Sequence, residues 1–485
     1  MVTAPETIAP ASDRAFAVEQ RGIDYVPLSE RWARPHHLFG MWAGSSVQFE
    51  YLVYGAVLMT FGLSFGQAVV CIVVGNLSYV LLGLCSLQGP VAGTTVFTIN
   101  RASFGPNGSR LMALLNWATQ VGFETEGLTL IVLAAVALSA KAGWSAGTGG
   151  KIIFIVAAAA IQTVLPFLGH ATVVKALRAM IAPFCVIYVI LAALTLGKAN
   201  PGGVHSSADA GTFMVGLAFV ITLAGLGWVE CGNDFSRYLP PDASKKGIVG
   251  WIFLGTAVPE ILIMLLGAAV ATYVSSAGDN PVTNFPHAFS GWFLWPFLVA
   301  AIVQLFAINC LDLYSSGVTL QAIGLPVKRW QAVLIDTVVA GGLTTYAVFS
   351  SSFNRLLGDF VAAVIAWIGP WMAIFLVDWV LRRYRYPVGE LQRTDRGSLF
   401  WSRGGVRWAA VGSWILGCAA SVLAFNQTFY VGPISTLATG ADLSVFTGIA
   451  VAGVAYLLLA GRQVRKEAAD PRHDDTTSLE PVAAS

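Results

Sequence analysis

Carboxylates and carboxamides are rare inside long apolar stretches, yet this chain places several there. Glu50 and Glu230 lie near the middle of two of them, MWAGSSVQFEYLVYGAV (41–57) and ITLAGLGWVECGNDFSRYLP (221–240). Glu124, Glu126, Glu260 and Asp312 fall in or near others, as do the amides Gln120, Gln304 and Asn309. An ionisable group in an apolar segment marks an ion pathway or a proton relay by default. A carboxamide offers two donors and an acceptor without a charge, so it can read the polar edge of a planar, amide-like ring. The plainer alternative stays open for each: an amide can bond a neighbouring helix, and one or two of the carboxylates can do the same.

Other chemistries find little support. The six cysteines (71, 85, 185, 231, 310, 418) all lie in apolar stretches, with no disulfide or metal spacing, and read as small core residues. His36 and His37 precede the first apolar stretch, and neither they nor His170 have metal-ligand spacing. A phosphate-binding GxxxxGK[ST] loop is absent, which argues against ATP hydrolysis by this chain. An enzyme would need a nucleophile–base pair or a metal cluster in the apolar stretches, and a channel would favour repeated pore rings. The sequence offers neither. No cofactor is expected.

The elements that must position these residues follow from composition. The chain is 56% hydrophobic and 11% charged, whereas a soluble domain is about 25% charged. It reads as an all-α integral membrane protein. A span needs about 20 predominantly apolar residues, and twelve are expected near 36–62, 66–88, 108–140, 151–169, 175–197, 212–237, 247–277, 290–323, 329–350, 356–381, 405–428 and 437–461. The segment around 382–404 and the tails 1–35 and 462–485 are polar enough to lie wholly in water, and the last tail, rich in Asp, Thr, Ser and Pro, reads as disordered. With the N-terminus inside, 24 of the 28 Lys and Arg residues fall in cytoplasmic segments and 4 outside. That bias predicts both termini in the cytoplasm of a plasma-membrane protein. No apolar run precedes residue 36, so no cleavable leader is expected. The net charge of +2 speaks against a nucleic-acid partner.

The two polar interruptions stand near the start of each half of the membrane region. A bilayer gives no water to backbone groups, so irregular backbone at that depth is tolerated only beside a cavity or protein. Paired interruptions at corresponding positions are the best sequence pointer to a secondary transporter's binding site.

Four segments in order, GNLSYVLLGLCSLQGPVAGTTVFTINRASFG (75–105), NWATQVG (116–122), GNDFSRYLP (232–240) and FAINCLDLYSSGVTLQAIG (306–324), carry a resemblance to the nucleobase:cation symporter family, in its purine–cytosine permease branch. The resemblance spans roughly 36–385. It implies a leucine-transporter-type fold of two inverted five-helix repeats, 36–197 and 212–381, plus two further helices, 405–461, with spans 1 and 6 broken at the midplane. It implies import of a nucleobase with a cation. A related ring such as a hydantoin, allantoin, uracil or a vitamin-like heterocycle is the alternative.

By the same resemblance Gln120 matches a substrate-binding glutamine, Phe123 a stacking aromatic and Asn309 a base-contacting asparagine, with Gln304 where another polar contact is expected. Gly225 stands where relatives often carry a stacking ring. Trp228 is then expected to supply that face, with Gly225 and Gly227 opening room for a larger base. Asp234 and Arg237 are expected to fix the cytoplasmic end of span 6. Sodium-coupled members use backbone carbonyls at the first break, here near Ser45 and Gln48, and two side-chain oxygens from span 8. Those last positions are Ala307 and Ile308, which have none. The expected coupling ion is therefore a proton rather than sodium, with Glu50 and Glu230 its leading carriers.

Overall fold

Long apolar runs with few breakers fold as helices because no other single segment satisfies its own backbone in an apolar medium. The structure, a computed structural model, describes residues 22–474 apart from 168–169, 205–207, 275–276, 279–283, 286–290, 351–352 and 428. In chain order its principal helices are α1 (Pro35–Ser46), α2 (Phe49–Met59), α3 (Phe65–Asn76), α4 (Tyr79–Cys85), α5 (Pro106–Lys141), α6 (Thr148–Gln162), α7 (His170–Thr195) and α8 (Ala210–Leu223). They continue with α9 (Lys245–Ala271), α10 (Gly291–Ala322), α11 (Arg329–Phe349), α12 (Phe353–Leu381), α13 (Trp408–Leu423), α14 (Ser444–Leu459) and α15 (Gly461–Glu467). Among the described residues nine helical stretches are long and apolar enough to cross a membrane, and ten if α14 and α15, bent by 60°, form one span. The stretches expected as spans 1 and 4 consist of shorter helices, α1 with α2 and α6.

Both polar interruptions are breaks in helical backbone. Between α1 and α2, Val47 (φ −84°, ψ 77°) and Gln48 (φ −146°, ψ 165°) leave helical geometry. After α8, Ala224 turns out of the helix (φ −85°, ψ −127°), a 3-10 turn spans Gly225–Trp228, and helix resumes over Gly232–Ser236.

Helix α5 packs along α10, and α9 lies against both α1 and α2. Two glycines allow that last approach. A Cβ on Gly55 would meet the Met264 carbonyl oxygen at 1.9 Å, and one on Gly267 would meet the Leu52 oxygen at 2.0 Å. Small residues at a helix crossing let backbones come this close. Helices α13 and α14 pair with each other and cover α12.

Several expectations need correction. The tail before residue 36 does not lie wholly in water: Tyr25 and Val26 are buried, the Val26 amide donates to the Gly93 carbonyl (2.7 Å), and Arg31 donates to the Pro90 carbonyl (2.5 Å). The 382–404 segment buries Tyr386, Val388, Leu391 and Phe400, so it packs as part of the protein. The C-terminal tail is helical over Gly461–Glu467 and Pro471–Asp474, while 475–485 lies outside the described residues. The last expected span starts at Ser444 because a hairpin, β1 (Asn426–Gln427) with β2 (Tyr430–Val431), and a short helix Pro433–Leu437 precede it. Cys185 is exposed on α7 and is not a core residue.

Candidate functional site

At the first break the backbone turn swings Gln48 back over the start of α2, where its Nε2 donates to Glu50 Oε2 (3.0 Å). Glu50 is thus partnered, by a neutral amide. Tyr54, one turn along α2, and Glu126 of α5 lie within electrostatic reach of Glu50. The Tyr54 hydroxyl donates to Glu126 Oε1 (2.9 Å). The Ser45 hydroxyl donates to the Trp42 carbonyl (2.8 Å).

At the second break Gln120 of α5 donates through Nε2 to Glu230 Oε1 (2.8 Å). Both side chains are fully buried, and Gln120 Oε1 and Glu230 Oε2 have no hydrogen-bond partner. One turn from Gln120, the Phe123 ring lies nearly parallel to Trp228, at 6.4 Å between centroids and 11° between planes. Trp42 of α1 meets Trp228 edge-on at 5.6 Å. Gly227 sits under Phe123, where a Cβ would stand 3.2 Å from the ring. Gly225 does not open room for a base. A Cβ there would strike the Ser78 backbone at 2.2 Å, and its amide donates to Ser78 Oγ (3.0 Å), so this glycine lets the turn pack on the residue preceding α4.

The two α10 amides bond to other helices, and each keeps one buried polar atom unpartnered, Gln304 Nε2 and Asn309 Oδ1. Gln304 accepts from the Tyr188 hydroxyl of α7 (2.9 Å). Asn309 donates to the Glu124 carbonyl and to Gln162 Oε1, each at 3.1 Å, which ties α10 to α5 and α6. Ala307 and Ile308 are buried. Asp234 accepts from the Val96 amide (3.0 Å) and from Ser315 (2.7 Å), and Arg237 donates to the Gly22 carbonyl (2.6 Å), so both join span 6 to other elements.

Three features were not singled out as site residues from sequence. Glu126 accepts from the Tyr54 hydroxyl as just described and lies within electrostatic reach of Glu50. Asp312, buried on α10 with Oδ1 unpartnered, lies within electrostatic reach of both Glu50 and Glu230. A hydroxyl chain, Tyr51 to Tyr79 (3.3 Å) and Tyr79 to Glu260, runs from α2 to α9. Glu126 and Asp312 were visible only as acids among apolar residues. The tyrosines gave no signal, since aromatic residues are ordinary in apolar helices. Among the described residues no cluster of three or more His, Cys, Asp or Glu could hold a metal ion.

A family model described as "Permease for cytosine/purines, uracil, thiamine, allantoin" matches residues 25–448. The chain belongs to this family. It is similar to the putative purine-cytosine permease YxlA of Bacillus subtilis, with 27% identity over 93% of this chain and 98% of that protein. The purine-cytosine permease fcyB of Emericella nidulans is 24% identical over 92% of this chain and 89% of its own length. Among solved structures, Mhp1, a nucleobase-cation-symport-1 family transporter in a closed conformation with bromovinylhydantoin bound, aligns over 95% of this chain and 98% of its own with a TM-score of 0.75 and 20% identity. That likeness carries the fold. The chain is a multi-pass membrane transporter and its relatives are permeases, not enzymes.

This permease also has a cavity of about 770 Å³, whose lining does not include the break residues. Its walls include Val57 and Thr60 at the end of α2, Phe219 on α8 and Val361 on α12, and the β1–β2 hairpin adds Asn426 and Gln427. Asp442 clamps that hairpin, accepting from the Asn426 amide (2.9 Å), Gln427 Nε2 (2.9 Å) and the Ser444 amide (3.0 Å). The transporter thus combines an enclosed set of acids and amides at two helix breaks with a wide vestibule where α2 ends and α8 begins.

Proposed function

We propose that this permease imports a nucleobase such as cytosine or a purine by alternating access, driven by protons. The observation that carries the reading is the Gln120–Glu230 pair beside Phe123 and Trp228. Near-parallel rings 6.4 Å apart stand at the wide end of the direct ring–ring range, so a planar base enters between them with a small further separation. The unpartnered Gln120 Oε1 and Glu230 Oε2 then meet donors on the base edge, which removes the cost of leaving them unsatisfied. The named purine-cytosine permeases among the relatives support this substrate class.

Proton coupling is supported by what surrounds the acids. Among the described residues none of Glu50, Glu126, Glu230 or Asp312 makes an ion pair, and Ala307 and Ile308 supply no side-chain oxygen for sodium. A proton that binds the loaded state better than the empty one provides the differential affinity that coupling needs. We read α1 with α2 as span 1 and α6 as span 4. Together with the nine longer spans and α14 they make twelve, arranged as two inverted repeats over 36–197 and 212–381 plus the pair 405–461, with both termini cytoplasmic in the plasma membrane.

Equilibrium displacement of labelled cytosine from the purified protein tests the substrate class. Unlabelled cytosine and purines should compete, and uracil, allantoin, thiamine and hydantoins should compete more weakly. Tighter competition by one of that second group would replace the nucleobase reading with the related-ring one.

A further inference from the structure

A second, smaller cavity of about 290 Å³ lies at the other end of the molecule, where α13 begins and α14 ends. Ser103, Ser402, Arg403, Arg407, Trp408 and Gln463 line it, and no carboxylate does. Arg407 is fixed: it is buried, donates to the Phe400 and Leu399 carbonyls (3.2 and 3.3 Å) and pairs with Glu467 (2.6 Å) behind the cavity wall. Arg403 is exposed beside it and, among the described residues, has no ion-pair partner. The first turn of α13, Trp408–Ala410, forms another wall, and its cap residue supplies no side-chain acceptor. The exposed Arg403 guanidinium, serine hydroxyls and a helix start together present donors to the cavity, beside an Arg407 already paired with Glu467. Phosphate is the anion such a set recognises.

The surroundings decide which phosphate. Trp408, at the cavity mouth, is 60% exposed, and Ile415 lies seven residues on, on the same face of α13, also exposed. Leu457 and Leu458 are exposed on the paired helix α14. A tryptophan at the headgroup level above an apolar helix face is the signature of a membrane interface. Basic pockets between helices at the basic face of a membrane protein take anionic headgroups. We propose that this cavity binds the phosphate of an anionic phospholipid, with its acyl chains along α13 and α14. The site is separate from the two helix breaks and does not depend on what the permease carries.

Native mass spectrometry of the full chain in detergent, with phosphatidylglycerol or phosphatidylcholine added, tests this. The protein should retain phosphatidylglycerol preferentially. Arg403→Gln should cut that preference about fivefold, as one interfacial arginine is expected to. Ser402→Asp, which puts a negative charge in the cavity, should cut it at least as far. Arg462→Gln, on the same basic face but off the cavity lining, should leave it in place. Thermal melting without added lipid shows whether each variant is folded. Equal retention of the two lipids, an unchanged preference in both cavity variants, or displacement of the lipid by excess inorganic phosphate would overturn the proposal.

Discussion

Two sets of buried acids in this permease are partnered in opposite ways. Where α12, α13 and α15 meet, Asp378 binds Arg382 (2.8 Å) and Glu467 binds both Arg382 (3.0 Å) and Arg407 (2.6 Å), with the Tyr456 hydroxyl also donating to Asp378 (2.8 Å). At the helix breaks Glu50 and Glu230 accept from the amides of Gln48 and Gln120, and Glu126 on α5 accepts from the Tyr54 hydroxyl. A charge buried with its counter-charge is a structural fixture. An acid buried beside neutral groups is stable there only while it holds a proton or faces a ligand. The first arrangement joins the C-terminal helices to the body, and the second is available to the transport cycle.

The contrast is sharpest in substitutions that remove one charge. Asp378→Asn leaves Arg382 buried without its full counter-charge and should cost roughly 3–5 kcal/mol of stability, measured by denaturant unfolding in micelles. Glu126→Gln and Glu230→Gln should change stability by less than about 1 kcal/mol while abolishing accumulation of substrate. Equal destabilisation by all three would erase the distinction.

Next in size is Gln120→Ala, which should weaken base binding roughly ten- to hundredfold, the range an unmet buried hydrogen bond implies. Asn309→Ala should instead lower stability, since Asn309 holds helices together (3.1 Å bonds to Glu124 and Gln162). Calorimetric binding alongside melting separates the two. Phe123→Leu should weaken binding by about 0.5–1.5 kcal/mol beyond its lost contact area.

The smallest effect is on acid stability. Burial opposes ionisation of Glu467, but Arg407 and Arg382 outweigh it and hold the carboxyl below its ordinary value of 4.5. A depressed carboxyl contributes stability that is complete above the ordinary value and lost as pH falls through the folded one. Melting temperature should therefore drop on acidification below about pH 4.5, and Glu467→Gln should flatten that limb.

Both interruptions were legible because Glu50 and Glu230 stand out among apolar residues, and polar atoms there need a structural excuse. Their partners were not. Gln120 and Glu230 are 110 residues apart in sequence, and only the packing of α5 against the second break joins them. Gly225 misled because a glycine does not announce what faces it, which here is the Ser78 backbone. Asn309 was legible by position, but the bonds of its Nδ2 to the Glu124 carbonyl and Gln162 were not. The seated segment near Tyr25 and Val26 was missed because its burial depends on Gly93 and Arg237, far along the chain.

Uptake of labelled cytosine into proteoliposomes, with either a proton or a sodium gradient imposed, is the most direct test of the central claim. Accumulation should follow an inward proton gradient in sodium-free buffer and fail in the Glu126→Gln and Glu230→Gln proteins. Uptake that collapses without sodium and ignores the pH gradient would contradict the account and return the break at Ser45 and Gln48 to service as a sodium site.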